Sequence, residues 1–178
     1  MKPPVILSSV VRPALQALTP YNAAMASPAA EVLIMGTLAQ ESDMCAYSTQ
    51  IGGGPALGIG QVERNTHTSM WTHFILPRPA LCGLIDKYLC LDPVTVKAKR
   101  DPRYLQSEEF HSQLEYNWRY SIGMIRLVYW PVLAAMPAED DLLGLGQYYK
   151  DHFNTRGGRG SAAEWVESYR YFVLGERT

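Results

Sequence analysis

Apolar residues recur every three or four positions over most of the chain, which is the spacing of helices that bury one face. The run VLIMGTLA, residues 32–39, is apolar on nearly every side of such a helix. It follows Ser27 and Pro28, residue types typical of a helix N-cap and a first helical position. This pattern predicts a central, largely buried helix from residue 28 to about 42, whose polar end AQESD reaches solvent or a cleft.

Proline, glycine and capping residues divide the rest of the pattern into further helices. We expect them near Thr66, over 80–89, from Ser107 to about Tyr129, from about Ala138, and from a capping box at Ser161 to about Val173. The charged segment 92–103 predicts a connector, and the RGGRG sequence at 156–160 predicts a turn.

One glycine-rich segment interrupts the helical pattern. The sequence STQIGGGPALGIGQ, residues 48–61, contains five glycines and a proline, which predicts an irregular loop or a small hairpin. We therefore expect an all-α fold, α+β at most through a short hairpin. The length suits one domain over 1–178, with a core from about 28 to 173 and an N-terminal extension over 1–20.

Composition narrows the range of functions. Lys and Arg number 16 against 17 for Asp and Glu, so a net charge of −1 gives no reason to expect a nucleic-acid partner. Three cysteines without metal-type spacing predict reduced, mostly buried thiols rather than a disulfide or zinc framework. The four histidines form no i, i+4 pair and the glycines form no phosphate-binding motif, so we expect neither a metal nor a cofactor.

The N-terminal sequence MKPPVILSSVVRPALQAL has a short apolar run that Arg12 and Pro13 interrupt, which argues against a signal peptide. No stretch approaches the roughly 20 apolar residues of a membrane-spanning helix. We therefore expect a soluble protein without membrane insertion.

Two segments carry the candidate chemistry, GTLAQES at 36–42 and ALGIGQVE at 56–63. Glu41-Ser42 and the sequence Gly-Ile-Gly-Gln at 58–61 resemble the lysozyme-like superfamily, and within it the lytic transglycosylases and goose-type lysozymes. In those enzymes a buried helix ends in a Glu-Ser pair whose Glu is the catalytic acid, and a Gly-Leu-Met-Gln-like segment follows. Gly60 stands where Met is usual. The resemblance implies a lysozyme-like fold that cleaves the β-1,4 bond between N-acetylmuramic acid and N-acetylglucosamine in peptidoglycan, with Glu41 as the acid.

The resemblance also implies substrate-binding residues. Ser42 and Gln61 would orient the carboxyl group and hold sugar N-acetyl groups, and the glycines around Gly58 would let backbone amides approach the glycan. The sequence LGLGQYYKDHFNT at 143–155 resembles the late helix whose tyrosine reaches the catalytic Glu, and we assign that role to Tyr148 rather than Tyr149.

The chemistry is consistent with these residue types. Protonating a glycosidic oxygen near neutral pH requires a carboxylic acid that keeps its proton. Glu41 follows an apolar helix, and burial disfavours its charged form, so we expect a raised pKa.

A second carboxylate is the open question. Asp43 lies about 200° from Glu41 around a helix, so Glu63 is the better candidate. An inverting hydrolase needs such a group about 6.5–9.5 Å from the acid, whereas a lytic transglycosylase, by resemblance, needs none. The absence of a clear second acid favours the transglycosylase.

Other interpretations stay open. Glu41 and Glu63 are compatible with ordinary solvated helix-end residues, Tyr148 with a core aromatic, and Cys45 with a nucleophile paired to a histidine. The chain is also compatible with a non-catalytic glycan-binding or virion structural protein. The sequences QVERNTH and YYKDHFNT are similar to small bacteriophage wall-degrading proteins. That similarity implies an endolysin released from the host cytoplasm, or a virion component in contact with other virion proteins.

Overall fold

The computed structural model describes residues 2–89, 91–154 and 160–176, and over these it is mostly helical, with one two-stranded antiparallel hairpin. The expected fold class, all-α with at most a short hairpin, is confirmed. The helices are α1 (Pro3–Ile6, then the π-helical Leu7–Val11, then Arg12–Gln16), α2 (Pro28–Ser42), α3 (Arg64–Ser69, then the π-helical Met70–Ile75), α4 (Pro79–Tyr88), α5 (Pro93–Ala98), α6 (Glu108–Tyr116), α7 (Trp118–Tyr129), α8 (Leu142–Tyr149, then the π-helical Lys150–Asn154) and α9 (Ala162–Ser168, then the π-helical Tyr169–Leu174). The strands are β1 (Ala56–Leu57) and β2 (Val62–Glu63), and short 3-10 turns lie at Ala23–Ala26 and Tyr104–Gln106.

Helix α2 lies at the centre, within the predicted bounds. The Ser27 hydroxyl accepts a hydrogen bond from the Ala30 amide, at 3.2 Å, and Pro28 occupies the first helical position. Residues 33–39 are all buried, so the helix is enclosed over two turns before Gln40 and Glu41 become partly exposed. The helix ends at Asp43, which adopts a left-handed conformation with φ 48°.

Two glycines allow α9 to pack closely against α2 and α8 to pack closely against α9. A Cβ at Gly36 would lie 1.9 Å from the Trp165 ring, so only glycine leaves room for that side chain. A Cβ at Gly146 would lie 2.7 Å from the carbonyl oxygen of Ala162. Trp165 is fully buried between these helices, and the close approach brings α8 against the C-terminal half of α2.

The N-terminal segment differs from the expected extension. Helix α1 contributes fully buried side chains to the same core as α2, namely Ile6, Val11, Ala14 and Leu15. Arg12, which seemed to interrupt the apolar run, lies on the exposed side and donates two hydrogen bonds to the Glu31 carboxylate.

Two connections also differ from their predictions. The segment 92–103 contains helix α5, because the Asp92 carboxylate caps it by accepting the amides of Val94 and Thr95, both at 2.9 Å. The helix expected from Ser107 is broken at Asn117, whose side chain caps α7 through the Tyr120 amide at 3.1 Å. Apolar periodicity continues across this break, so the pattern alone does not reveal it.

The other helix limits agree more closely. The Ser161 capping box forms with Glu164 at the start of α9, as predicted, and α8 begins at Leu142 because Asp141 caps it. Cys45 and Cys82 are free thiols, half-buried and buried, whereas Cys90 and residues 156–159 of the predicted turn lie outside the described residues. Among the helices that the structure describes, none has both the length and the apolar character to cross a bilayer.

A buried polar network attaches α3 to α6 and α7. The Trp71 indole donates to the Tyr120 hydroxyl at 2.6 Å, so Tyr120 directs its own hydrogen to Nε2 of His67. His67 therefore carries its proton on Nδ1 and donates to Nδ1 of His111, at 3.0 Å. Phe110 stacks on the His67 ring with 4.5 Å between centroids. Burial, and then the neighbouring His111, place the pKa of His67 well below its usual value.

Substituting His67 with Ala is expected to lower the free energy of unfolding by about 3 kcal/mol at pH 7.5, because it removes the buried acceptor of the Tyr120 hydrogen and the buried donor to His111 and opens a cavity. In the unfolded chain His67 takes up a proton as the pH falls through 6.5, the usual pKa of a histidine, whereas in the folded chain it stays neutral. The contribution of His67 to the free energy of unfolding is therefore fully present above pH 6.5 and declines as the pH falls below it. The difference between wild type and variant should shrink by about 1 kcal/mol at pH 5.5.

Urea unfolding of both proteins at the two pH values measures these differences. The exposed His73, on the same helix, supplies the control, because His73→Ala should stay within about 0.5 kcal/mol of wild type. Equal losses for the two variants would contradict the network.

Candidate active site

A cleft of about 780 Å³ opens where α2 emerges from the core. The end of α2 and the π-helical part of α8 form one side, and the glycine-rich loop with the β1–β2 hairpin forms the other. Polar side chains dominate its lining, among them Gln40, Glu41, Gln50, Gln61, Glu63, Tyr149 and Asn154.

Glu41 is a carboxylic acid with a perturbed pKa in this cleft. Burial at the end of α2 raises the pKa of its carboxyl group, and hydrogen bonds from Tyr149 and then Asn154 act in the opposite direction. The Tyr149 hydroxyl donates to Oε1 of Glu41 at 2.5 Å. The predicted rise in pKa is therefore confirmed, and burial is its main cause.

The tyrosine that reaches Glu41 is Tyr149, so the assignment to Tyr148 was wrong. The Tyr148 hydroxyl donates to the carbonyl of Ala134 at 3.4 Å, and its ring packs against Tyr129 and His152. Consecutive helical residues point about 100° apart, so a shift of one position turns the side chain away from α2. The apolar period of α8 already places Tyr149 on the inward face, and that signal was the better guide.

Asn154 was not selected from the sequence. It follows Tyr149 by five residues, a spacing that the π-helical turn Lys150–Asn154 brings side by side and that an α-helix would rotate about 140° apart. Its amide nitrogen donates to the Tyr149 hydroxyl at 3.0 Å. No sequence signal for this turn was available, so the pairing emerges only in the folded chain.

Ser42 does not face the cleft, in contrast to its predicted role in substrate binding. It is fully buried, and its hydroxyl hydrogen is directed at the carbonyl oxygens of Ile59, at 2.6 Å, and Leu38, at 3.1 Å. The same oxygen accepts the Cys45 amide at 3.1 Å. Ser42 therefore joins the end of α2 to the hairpin and acts on the site only through structure.

The turn after Ser42 is strained. Asp43, Met44 and Cys45 all have positive φ, at 48°, 57° and 66°, a conformation that costs non-glycine residues about 1–2 kcal/mol each. The turn leaves Asp43 exposed and outside the lining of the cleft. Cys45 is half-buried, and burial raises the pKa of its thiol to about 12. A thiol protonated at neutral pH disfavours the nucleophilic alternative.

Gly58 also has a structural role rather than the predicted substrate contact. Its φ is 76°, its amide donates to Ser48 at 2.6 Å, and its carbonyl accepts from the backbone of Gln61. A Cβ at Gly58 would lie 2.2 Å from the carbonyl oxygen of Leu114. Gly58 is therefore needed where the hairpin meets α6, and its amide is not free for a glycan.

Gly60, the departure from the family motif, has a comparable explanation. A Cβ there would lie 2.3 Å from Cδ1 of Ile125 on α7. The isoleucine side chain occupies the space beside this residue, so the hairpin packs tightly on α7 without a large side chain at position 60.

Two glutamines on the hairpin side have fixed amide orientations. The Oε1 atom of Gln50 accepts the Ala56 amide at 3.2 Å, and a backbone N–H can only donate, so the Gln50 NH₂ group is left for the cleft. The Nε2 atom of Gln61 donates to the carbonyl of Gly58 at 2.8 Å, which leaves Oε1 for the cleft. Gln50 therefore presents a hydrogen-bond donor to the cleft, and Gln61 presents an acceptor.

Glu63 ends β2, is exposed and lines the same cleft as Glu41. It does not cap α3 with its side chain. Two carboxyl groups therefore face one cavity from opposite sides. Within the described residues, no group of three or more His, Cys, Asp or Glu side chains is arranged to hold a metal ion.

Substituting Glu41 with Gln is expected to stabilise the protein at neutral pH. The folded chain holds the Glu41 proton to higher pH than the unfolded chain, so this group opposes folding increasingly as the pH rises through that window. Gln cannot ionise and can still accept from Tyr149. We expect a gain of about 1 kcal/mol at pH 7.5, typical of stabilising substitutions, that disappears near pH 4.

Urea unfolding at the two pH values tests this expectation, with the exposed Glu63→Gln as the control that stays within about 0.5 kcal/mol of wild type. A Glu41→Gln variant less stable than wild type at pH 7.5 would show that the buried carboxyl group does not oppose folding.

Of the residues selected from the sequence, Glu41, Gln61 and Glu63 line the cleft, whereas Ser42 and Gly58 lie beneath it. Comparison of the chain with protein-family models, curated proteins and solved structures found no match. Its function must therefore be inferred from the chemistry of its own residues.

Proposed function

We propose that this chain cleaves the glycan strands of bacterial peptidoglycan as a lytic transglycosylase, with Glu41 as its general acid and base. The observation that carries the proposal is the environment of Glu41. A carboxyl group whose pKa is raised by burial faces a polar cleft and is held by a tyrosine at 2.5 Å. That combination favours the protonated form of the carboxyl group, which is the form that a general acid needs.

In the proposed reaction, Glu41 transfers its proton to the glycosidic oxygen as the bond to the anomeric carbon of the muramyl residue breaks. The C6 hydroxyl of the same residue then bonds to that carbon and returns its proton to the Glu41 carboxylate. The product is a 1,6-anhydro ring, no water is consumed, and the acid is regenerated. Tyr149 stabilises the carboxylate between the two steps by donating to Oε1.

The two oriented glutamines suit an amino-sugar substrate. An acetamido group carries one hydrogen-bond donor and one acceptor, which matches the free Gln50 nitrogen and the free Gln61 oxygen. Such fixed polar groups discriminate between substrates, because a mismatch leaves them unpaired. The cleft therefore favours N-acetylated glycans over unsubstituted ones.

Hydrolysis is the second candidate, and Glu63 is the observation that favours it. A carboxylate across the cleft from the acid would activate water in an inverting enzyme. In either case, the similarity to phage wall-degrading proteins favours a role in wall lysis, by an endolysin leaving the host cytoplasm or by a virion component.

Glu41→Gln is expected to reduce the release of fragments from purified peptidoglycan by about 1000-fold, because no acid remains to protonate the leaving oxygen. Mass spectrometry of the fragments identifies the reaction. Anhydromuramyl ends, retained within about threefold in Glu63→Gln, are the expected result. Reducing muramyl ends that disappear in Glu63→Gln would establish the hydrolase, and no release by wild type from several wall types would favour a glycan-binding protein.

Gln50→Glu is expected to raise KM about tenfold while kcat stays within twofold. The new carboxylate still accepts the Ala56 amide but presents an acceptor where Gln50 presents a donor. The exposed Gln16→Glu adds the same charge on α1 and should leave KM unchanged. Kinetics on intact and de-N-acetylated glycans complete the test, because equal losses on both would exclude recognition of the acetamido group.

A further inference from the structure

Four side chains on α8 and α2 form a hydrogen-bonded series that ends on the acid. Lys150 Nζ donates to Oδ1 of Asn154 at 2.8 Å. Asn154 Nδ2 donates to the Tyr149 hydroxyl at 3.0 Å, and Tyr149 donates to Oε1 of Glu41 at 2.5 Å. Three of the four residues lie within one helical segment, and the π-helical turn supplies their alignment.

The direction of every bond follows from the first one. An ammonium group has hydrogens and no acceptor, so Lys150 must face the oxygen of the Asn154 amide. The NH₂ group of Asn154 is thereby directed at Tyr149, and it can only donate. Tyr149 has a single hydrogen, and since the NH₂ group of Asn154 cannot accept it, that hydrogen is directed at Oε1 of Glu41.

The direction of the hydrogen bond from Tyr149 distinguishes the two oxygens of the Glu41 carboxyl group. An oxygen that accepts a short hydrogen bond is the carbonyl-like oxygen of a protonated acid, and the other oxygen carries the proton. We propose that Lys150 and Asn154 are positioning residues that hold Tyr149 as an obligate donor, and thereby assign the acid proton of Glu41 to Oε2.

This inference refines the proposed function, because it names the oxygen that would deliver the proton. Lys150 and Asn154 do not need to touch the glycan for this role. They prevent Tyr149 from changing from a hydrogen-bond donor to an acceptor of the acid proton on Oε1. In that reversed arrangement the proton would point at the helix rather than at a substrate.

The other titratable groups around Glu41 do not belong to the series. Tyr129 on α7 is hydrogen-bonded to Thr37, at 2.8 Å, while Tyr47 and Asp43 follow α2 and Glu63 lies across the cleft. Burial, and to a smaller extent the charge of Glu41, raises the pKa of Tyr47 and of Tyr129, whereas the pKa of Glu41 itself depends on burial and on hydrogen bonds from Tyr149 and Asn154. Substitutions at positions 150 and 154 therefore test the hydrogen-bonded series separately from these groups.

The decisive experiment titrates Glu41 without substrate, using the infrared C=O band of its protonated form, identified by its loss in Glu41→Gln. Asn154→Asp replaces the NH₂ donor with an acceptor that competes for the Tyr149 hydrogen. The Glu41 titration should then move upward by about one pH unit, because its carboxylate loses a donor and gains a negative neighbour.

Lys150→Met should move the titration in the same direction by less, and Lys150→Arg, which keeps a cationic donor, should restore the wild-type midpoint. The exposed Lys97 lies on α5, which does not line the cleft, so Lys97→Met removes one lysine charge and should leave the midpoint unchanged. In glycan cleavage, the alkaline side of the pH profile of kcat should shift together with the Glu41 titration, while KM stays within twofold of wild type.

The outcomes separate the two proposals. Shifted titrations in a chain that does not cleave peptidoglycan would support the hydrogen-bonded series and refute the proposed function. Titrations of Asn154→Asp and Lys150→Met that coincide with wild type would refute the series, whether or not the wild-type chain cleaves glycans.

Discussion

Burial of helix α2 on almost every side is the constraint on which the rest of this structure depends. An apolar helix of this kind needs neighbours all round, and α1, α7, α8 and α9 supply them. Gly36 permits the closest of these approaches, by the Trp165 ring. At its C-terminal end α2 emerges from the core, so the polar residues of its last turn stand at the floor of a cleft.

The position of Glu41 therefore follows from packing rather than from a separate binding fold. Its backbone is fixed by a buried helix, and its carboxyl group is half removed from water, which is why its pKa is raised. Ser42 then fastens the helix end to the hairpin through the carbonyl of Ile59. This buried hydroxyl group thus connects the opposite side of the cleft directly to the helix that carries the acid.

Several features of the site oppose stability. A partly desolvated acid and three consecutive left-handed residues each cost free energy that the surrounding core must offset. Such costs are retained where they hold groups in a useful geometry. Here the desolvated acid and the left-handed residues lie together within residues 41–45. The facing helix contains a π-helical turn, and this turn and the left-handed residues both lie beside the Glu41 carboxyl group.

The sequence by itself determined the helical class, the limits of α2, the capping box of α9 and the choice of Glu41. Those features depend on periodicity and capping, which act over a few residues. Tertiary structure decided that Tyr149 rather than Tyr148 meets Glu41, that Ser42 and Gly58 point into the protein, and that α1 completes the core. The physical reason is that each depends on which distant element closes on a given face, and one residue of rotation, about 100°, changes a side chain's partner completely.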